Sequence, residues 1–179
     1  MNNFSWHKEM AEILKIALIL VTGVLVIPLV IGFFHNIPLI KMLGLVASIL
    51  IFQPFAVVVG FGLGIDPFPM MLIMCSFGLS VIFVLFGICD IFAERSEWLR
   101  KHLDKIEAIT QKSELFRKYG IVTLIPFIWV PGVGLYGCVL IAWMFKWRGA
   151  LTVTIIFAGW VLATLIVLLT SIGILAVIQ

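Results

Sequence analysis

The sequence predicts an all-α, polytopic integral membrane protein with spanning helices, two opposed re-entrant helical hairpins and one cytoplasmic amphipathic helix. Three observations predict it. Hydrophobic residues make up 63% of the 179-residue chain and charged residues 12%, with a mean hydropathy of +1.25, which is more apolar surface than one soluble core can hide. Charged positions divide the chain into five uncharged runs, 16–40, 42–65, 67–89, 119–145 and 149–179, and about 20 apolar residues cross a bilayer as helix. Helix breakers concentrate in two of these runs, and the placement of Lys and Arg singles out the same two.

If every run spans and the N-terminus is inside, the segment 94–118 faces outward. It holds Arg95, Arg100, Lys101, Lys105, Lys112, Arg117 and Lys118, so this arrangement opposes the positive-inside rule. Reversing the chain exports Lys8, Lys15, Lys146 and Arg148 instead. If the runs 42–65 and 119–145 each enter and leave by one face, every basic residue except Lys41 becomes cytoplasmic. The first of these runs contains Gln53-Pro54, Gly60, Gly62 and Gly64, and the second Pro126, Pro131, Gly132, Gly134 and Gly137. Broken backbone at membrane depth needs cover from protein or a wet cavity, so both breaks are expected in the interior, as in transporters whose discontinuous helices meet near the midplane. Two ordinary spans kinked by Pro and Gly are the competing reading.

The elements follow in order within a single transmembrane domain, 1–179. Spans are expected near 13–36, 66–92 and 149–176, hairpins near 38–65 and 119–145, and a cytoplasmic helix near 94–118. The first run is read as a permanent helix, being longer than a signal h-region and followed by no polar mature chain. In the polar segment, Leu99, Leu103, Ile106 and Phe116 fall near helical spacing, and Glu97/Lys101 and Glu114/Lys118 are i,i+4 pairs. A solvated connector is the plainer alternative. Trp143, Lys146, Trp147 and Arg148 read as an interfacial anchor.

Catalytic chemistry is not expected. His7, His35 and His102 occur singly, Cys75, Cys89 and Cys138 lie in apolar runs without CxxC spacing, and no P-loop, GxSxG or HExxH is present. No metal or other cofactor is implied. Asp66, before Pro67, reads as a helix cap. Asp90 and Glu94, near the end of the third run, are carboxylates that solvation explains unless they face the bundle interior.

The stretch Pro131-Gly132-Val133-Gly134-Leu135-Tyr136-Gly137 is the stronger candidate. Glycines let successive N–H groups point into one concavity, and a helix restarting near Leu135 aims its positive end at the same place. A phosphate or carboxylate could bind there without Arg, and close helix packing through small residues is the competing use of the glycines. The expected substrate-binding set is Gln53, Pro54, Pro126, Pro131, Gly132, Gly134, Tyr136 and Gly137, with the second turn facing Gln53-Pro54.

Pro126 and the Pro131–Gly137 stretch, with Arg117-Lys118-Tyr119-Gly120, Lys146-Trp147-Arg148 and Gly159-Trp160, resemble the small multidrug export family, related to the DedA or VTT-domain membrane proteins. Gly62-Leu63-Gly64-Ile65-Asp66-Pro67 resembles the Gly-Leu-x-Pro that follows the family's first re-entrant element. The resemblance implies opposed hairpins and transport, either drug efflux or lipid translocation. The chain departs from its relatives in having Phe52, Gln53 and Pro54 where they carry an acidic and a basic residue, and in lacking arginines between Gly120 and Phe145.

The expected function is a membrane transporter or lipid translocase for a small amphipathic or lipid-linked, phosphate-bearing substrate. A structural or assembly factor that packs with other membrane proteins is the alternative. The expected location is the cell membrane, multi-pass, with the N-terminus cytoplasmic. Membrane lipids and the substrate are the expected partners, nucleic acid is not, and self-association into a homo-oligomer stays open.

Overall fold

The computed structural model describes residues 3–95, 128–129, 134–147 and 149–178, and every regular element among them is helical. The amphipathic helix expected near 94–118 and the first limb of the second hairpin fall almost wholly outside the described residues. Helix α1 (Asn3–Val21), a π-helical turn (Thr22–Val26) and α2 (Ile27–Phe34) follow one another directly. The π turn has a chemical cause in Pro28, which has no N–H for the Val24 carbonyl and whose ring crowds it. The ladder widens just before it, so that the Ile27 N–H reaches the Thr22 carbonyl five residues back. The bulge also serves packing: a Cβ on Gly23 would strike Ser80 of the neighbouring helix Pro67–Arg95, and Ser76 of that helix donates to the Gly23 carbonyl at 3.3 Å.

Helix α3 (Leu39–Phe52) stops at a 3-10 turn (Gln53–Phe55) and α4 (Ala56–Gly62) follows. By length and composition Leu39–Gly62 is apolar enough to cross a membrane, as are Met10–Phe34, Pro67–Ala93 and Ala150–Gly173. Its own contacts show that it doubles back. A Cβ on Gly60 would sit 3.2 Å from Leu45, one on Gly44 3.5 Å from Leu63, and one on Gly64 3.7 Å from Lys41 Nζ. In a straight helix Lys41 and Gly64 would be about 34 Å apart. Gln53, at φ 53° and ψ −124°, makes the reversal, and Pro54 prevents α3 from continuing.

Three helices end in the same way. After α2, α4 and α6 (Gly134–Met144), a residue with positive φ allows two carbonyls of the last turn to be satisfied. Ile37 and Asn36 donate to Gly32 and Phe33, Ile65 and Gly64 to Gly60 and Phe61, and Trp147 and Lys146 to Ala142 and Trp143. Two of the three left-handed positions are not glycine, Asn36 and Lys146, both at φ 53°.

Helix α5 (Pro67–Arg95) is the ruler of the bundle and packs against α1, α2, α4, α6 and α7 (Ala150–Ile178). At its start a Cβ on Gly60 would strike Met70, so the base of the α3–α4 hairpin lies there. Towards its other end Asp90 accepts a 2.9 Å hydrogen bond from Trp143, in the last turn of α6. Pro67 and Asp90 are about 35 Å apart along α5. The two limbs α3–α4 and α6 therefore start from opposite ends of the bundle and converge.

Between them the core is close-packed. Trp160 of α7 is fully buried, donates its indole N–H to the Met74 carbonyl at 3.0 Å, and lies against Gly78, where a Cβ would come within 2.5 Å of the ring nitrogen. The outside is the reverse of a soluble surface: Leu14, Phe33, Phe34, Ile40, Phe68 and Phe92 are all more than 60% exposed. A continuous apolar exterior on helices of spanning length is what lipid, and not water, stabilises. The protein is a multi-pass membrane protein.

Candidate functional site

The break in α3 leaves a defined set of unpaired groups. Pro54 has no N–H, so the Leu50 carbonyl, four residues earlier, loses its helical donor. At the other convergent limb, α6 begins at Gly134, and the first N–H groups of any helix have no acceptor within it. Each break supplies what the other lacks. The Tyr136 hydroxyl donates to the Leu50 carbonyl at 3.0 Å, and Gln53 Oε1 accepts from the Leu135 N–H at 2.9 Å. Two segments separated by 82 residues thus satisfy one another's orphaned backbone where lipid offers nothing.

Gln53 is wholly buried and its neighbour Pro54 is buried, while Tyr136 and Gly137 are partly exposed. Gly134 is tightly held: a Cβ there would strike the Ile128 carbonyl and come within 2.7 Å of Gln53 Oε1. The expected facing of Gln53-Pro54 and the second turn is therefore seen through Gly134, Leu135 and Tyr136. Pro126, Pro131 and Gly132 lie outside the described residues. Among the described residues, the Ile128 carbonyl and Gln53 Oε1 close on Gly134 too tightly for a side chain there.

One group stays unmatched. Gln53 Nε2 is buried without a hydrogen-bond partner, and it is the single such side-chain atom among the described residues. Other buried hydroxyls turn inward on their own helices, Ser48 to Leu45, Ser80 to Ser76 and Thr164 to Trp160. A buried unpaired donor costs about 1–3 kcal/mol. The positive φ of Gln53 adds about 1–3 kcal/mol more. A positive φ and an unmatched buried donor coincide in this one residue.

Trp143 departs from the sequence reading. It is 4% exposed, so it is a buried hydrogen-bond donor to Asp90 rather than an interfacial lipid anchor. Its indole N–H finds a carboxylate one helix away, which outweighs what a headgroup layer offers. Asp90 in turn borders an open cleft of about 450 Å³ with Phe83, Phe86, Val153 and Thr154. Periodicity alone does not reveal this pair, because Trp143 and Asp90 are 53 residues apart in the chain. Among the described residues no group of His, Cys, Asp or Glu could hold a metal.

The model of the family described as "Putative small multi-drug export protein" matches residues 53–166, more than half of the chain. The chain belongs to this small multidrug export family. The match begins at Gln53 itself and runs through α6 into α7, so it contains both sides of the junction. Membership points to membrane transport. No curated protein and no solved structure matches the chain.

Proposed function

We propose that this small multidrug export protein is a translocase for an amphipathic or lipid-linked, phosphate-bearing substrate, seated in the cell membrane with its N-terminus cytoplasmic. The runs 42–65 and 119–145 are re-entrant on this reading and approach from opposite faces. The observation that carries it is the Gln53–Leu135 hydrogen bond, because it joins two helix breaks inside the bundle. At 1.5 Å per residue α3 is about 21 Å long and α6 about 17 Å, each too short to cross a hydrocarbon layer of about 30 Å but long enough to meet within it. A headgroup that reaches the junction from one face has only that thin seam to cross. The apolar exterior leaves its tails in lipid.

The convergent limbs also favour kinship with the DedA or VTT-domain proteins. No acid or base stands in either break, at Phe52-Gln53-Pro54 or in 119–145, which suits movement down a gradient better than ion-driven pumping. Purified protein in liposomes tests the proposal, with a fluorescent phospholipid followed by external quenching and a trapped cationic dye followed in parallel vesicles. Protein-dependent lipid movement is expected. Dye efflux with no lipid movement would leave drug export as the function, and movement of neither would overturn a transport role.

A further inference from the structure

Gln53 carries two chemically distinct groups in one rigid amide, and only one is used. Oε1 accepts from Leu135 at the start of α6, which fixes the amide's orientation, since the reverse would set N–H against N–H. Nε2 then lies beside the N-terminus of an 11-residue helix, enclosed and without an acceptor. A helix N-terminus favours negative charge and presents further N–H donors. The residue is 0% exposed, so bulk water does not reach the unmatched donor. What is missing at this point is an oxygen acceptor, preferably anionic.

We propose that Gln53 Nε2 and the first turn of α6 form a binding site for a phosphate group, and that the Gln53–Leu135 bond is the closed form of that site. A phosphate oxygen replaces Oε1 at the Leu135 N–H while a second oxygen accepts from Nε2. The exchange parts the two breaks and relieves the unmatched donor. Tetrahedral phosphate suits this better than a lone carbonyl, because it offers several oxygens to donors that point in different directions. The proposal takes its place within the membrane from the translocase reading, but binding is measurable without transport, so the two can fail separately.

The chain contains three glutamines, Gln53, Gln111 and Gln179, so selective 15N labelling of glutamine yields three side-chain amide signals. Substitution of Gln111 and Gln179 in turn assigns the third to Gln53. The labelled protein in nanodiscs is titrated with inorganic phosphate, with short-chain phosphatidic acid, and with the diacylglycerol of the same chains. The Gln53 amide signal should shift with a phosphate-bearing probe and stay in place with diacylglycerol. A shift with phosphatidic acid alone identifies a lipid headgroup as the source, and a shift with inorganic phosphate as well identifies a free anion. Gln53→Met, which removes the donor at similar volume, should weaken the effective probe about tenfold or more. An unmoved Gln53 signal, an equal shift with diacylglycerol, or undiminished affinity in Gln53→Met would overturn the site.

Discussion

The Gln53 side chain and the Leu135 amide, 82 residues apart, share a 2.9 Å hydrogen bond at the point where both of their helical runs are interrupted. Its companion is the Tyr136 hydroxyl on the Leu50 carbonyl, the group that Pro54 orphans. Tyr136→Phe removes the second bond and keeps the ring, so it isolates the value of satisfying one carbonyl. The expected loss is about 1 kcal/mol, or a fall in Tm of about 2–4 °C for a chain of this size. Thermal unfolding in detergent measures it, and an unchanged Tm would show that another donor replaces the hydroxyl.

Gln53 itself offers a cleaner comparison. Gln53→Ala and Gln53→Gly both lose the cap on α6, but glycine adopts φ 53° without steric penalty. Gln53→Gly should therefore be more stable than Gln53→Ala by about 1 kcal/mol. Equal stability would mean that the turn relaxes once the amide is gone.

Gly134→Ala tests whether the second turn tolerates any side chain. The added methyl meets the Ile128 carbonyl and Gln53 Oε1, and carbonyl backbone cannot give way as a flexible side chain would. A destabilisation of about 1–3 kcal/mol is expected. Full stability with lost transport would instead show that the methyl blocks a ligand and leaves the packing intact.

How much of this was legible in the sequence depends on the range of the cause. The all-helical membrane fold follows from run lengths and composition, and the reversal at Gln53-Pro54 from a proline whose effect is local. The position of the second turn against Gln53 was expected because both breaks need cover. The π turn before Pro28 was missed, although Pro28, Gly23 and Gly32 stand in the first run as plainly as the breakers elsewhere. The left-handed Asn36 and Lys146 carry no glycine to announce them. The sequence points Trp143 to the interface because Trp beside Lys and Arg usually lies there, while its partner Asp90 is visible only once α5 and α6 are side by side.

The α5–α7 crossing depends on Gly78. A Cβ there meets the Trp160 ring near the nitrogen that donates to Met74. Gly78→Ala should displace the indole and cost about 1–3 kcal/mol, whereas Trp160→Phe, which makes room and loses only the bond, should cost about 1 kcal/mol on that account. In the double variant Gly78→Ala/Trp160→Phe the methyl meets a smaller ring, so the losses should sum to less than the two single ones. Simple additivity in detergent unfolding would show that the contact is not the cause.

The topology is open to a test that does not involve transport. Lys41 Nζ lies beside Gly64, so both ends of the α3–α4 limb share one end of the bundle, while Trp143, just before Lys146, meets Asp90 at the other. After the native Cys75, Cys89 and Cys138 are replaced, single cysteines at positions 41, 66 and 146 are exposed to an impermeant thiol reagent in sealed, oriented vesicles. Positions 41 and 66 should react from the same face and position 146 from the opposite one. With the N-terminus cytoplasmic and eleven of the twelve basic residues on that side, the shared face of 41 and 66 should be the outer one. If 41 and 66 react from opposite faces, Leu39–Gly62 spans the membrane and the re-entrant reading fails. If all three react from one face, the two limbs do not oppose one another across the bilayer, and the junction between Gln53 and Leu135 cannot be the seam that a headgroup crosses.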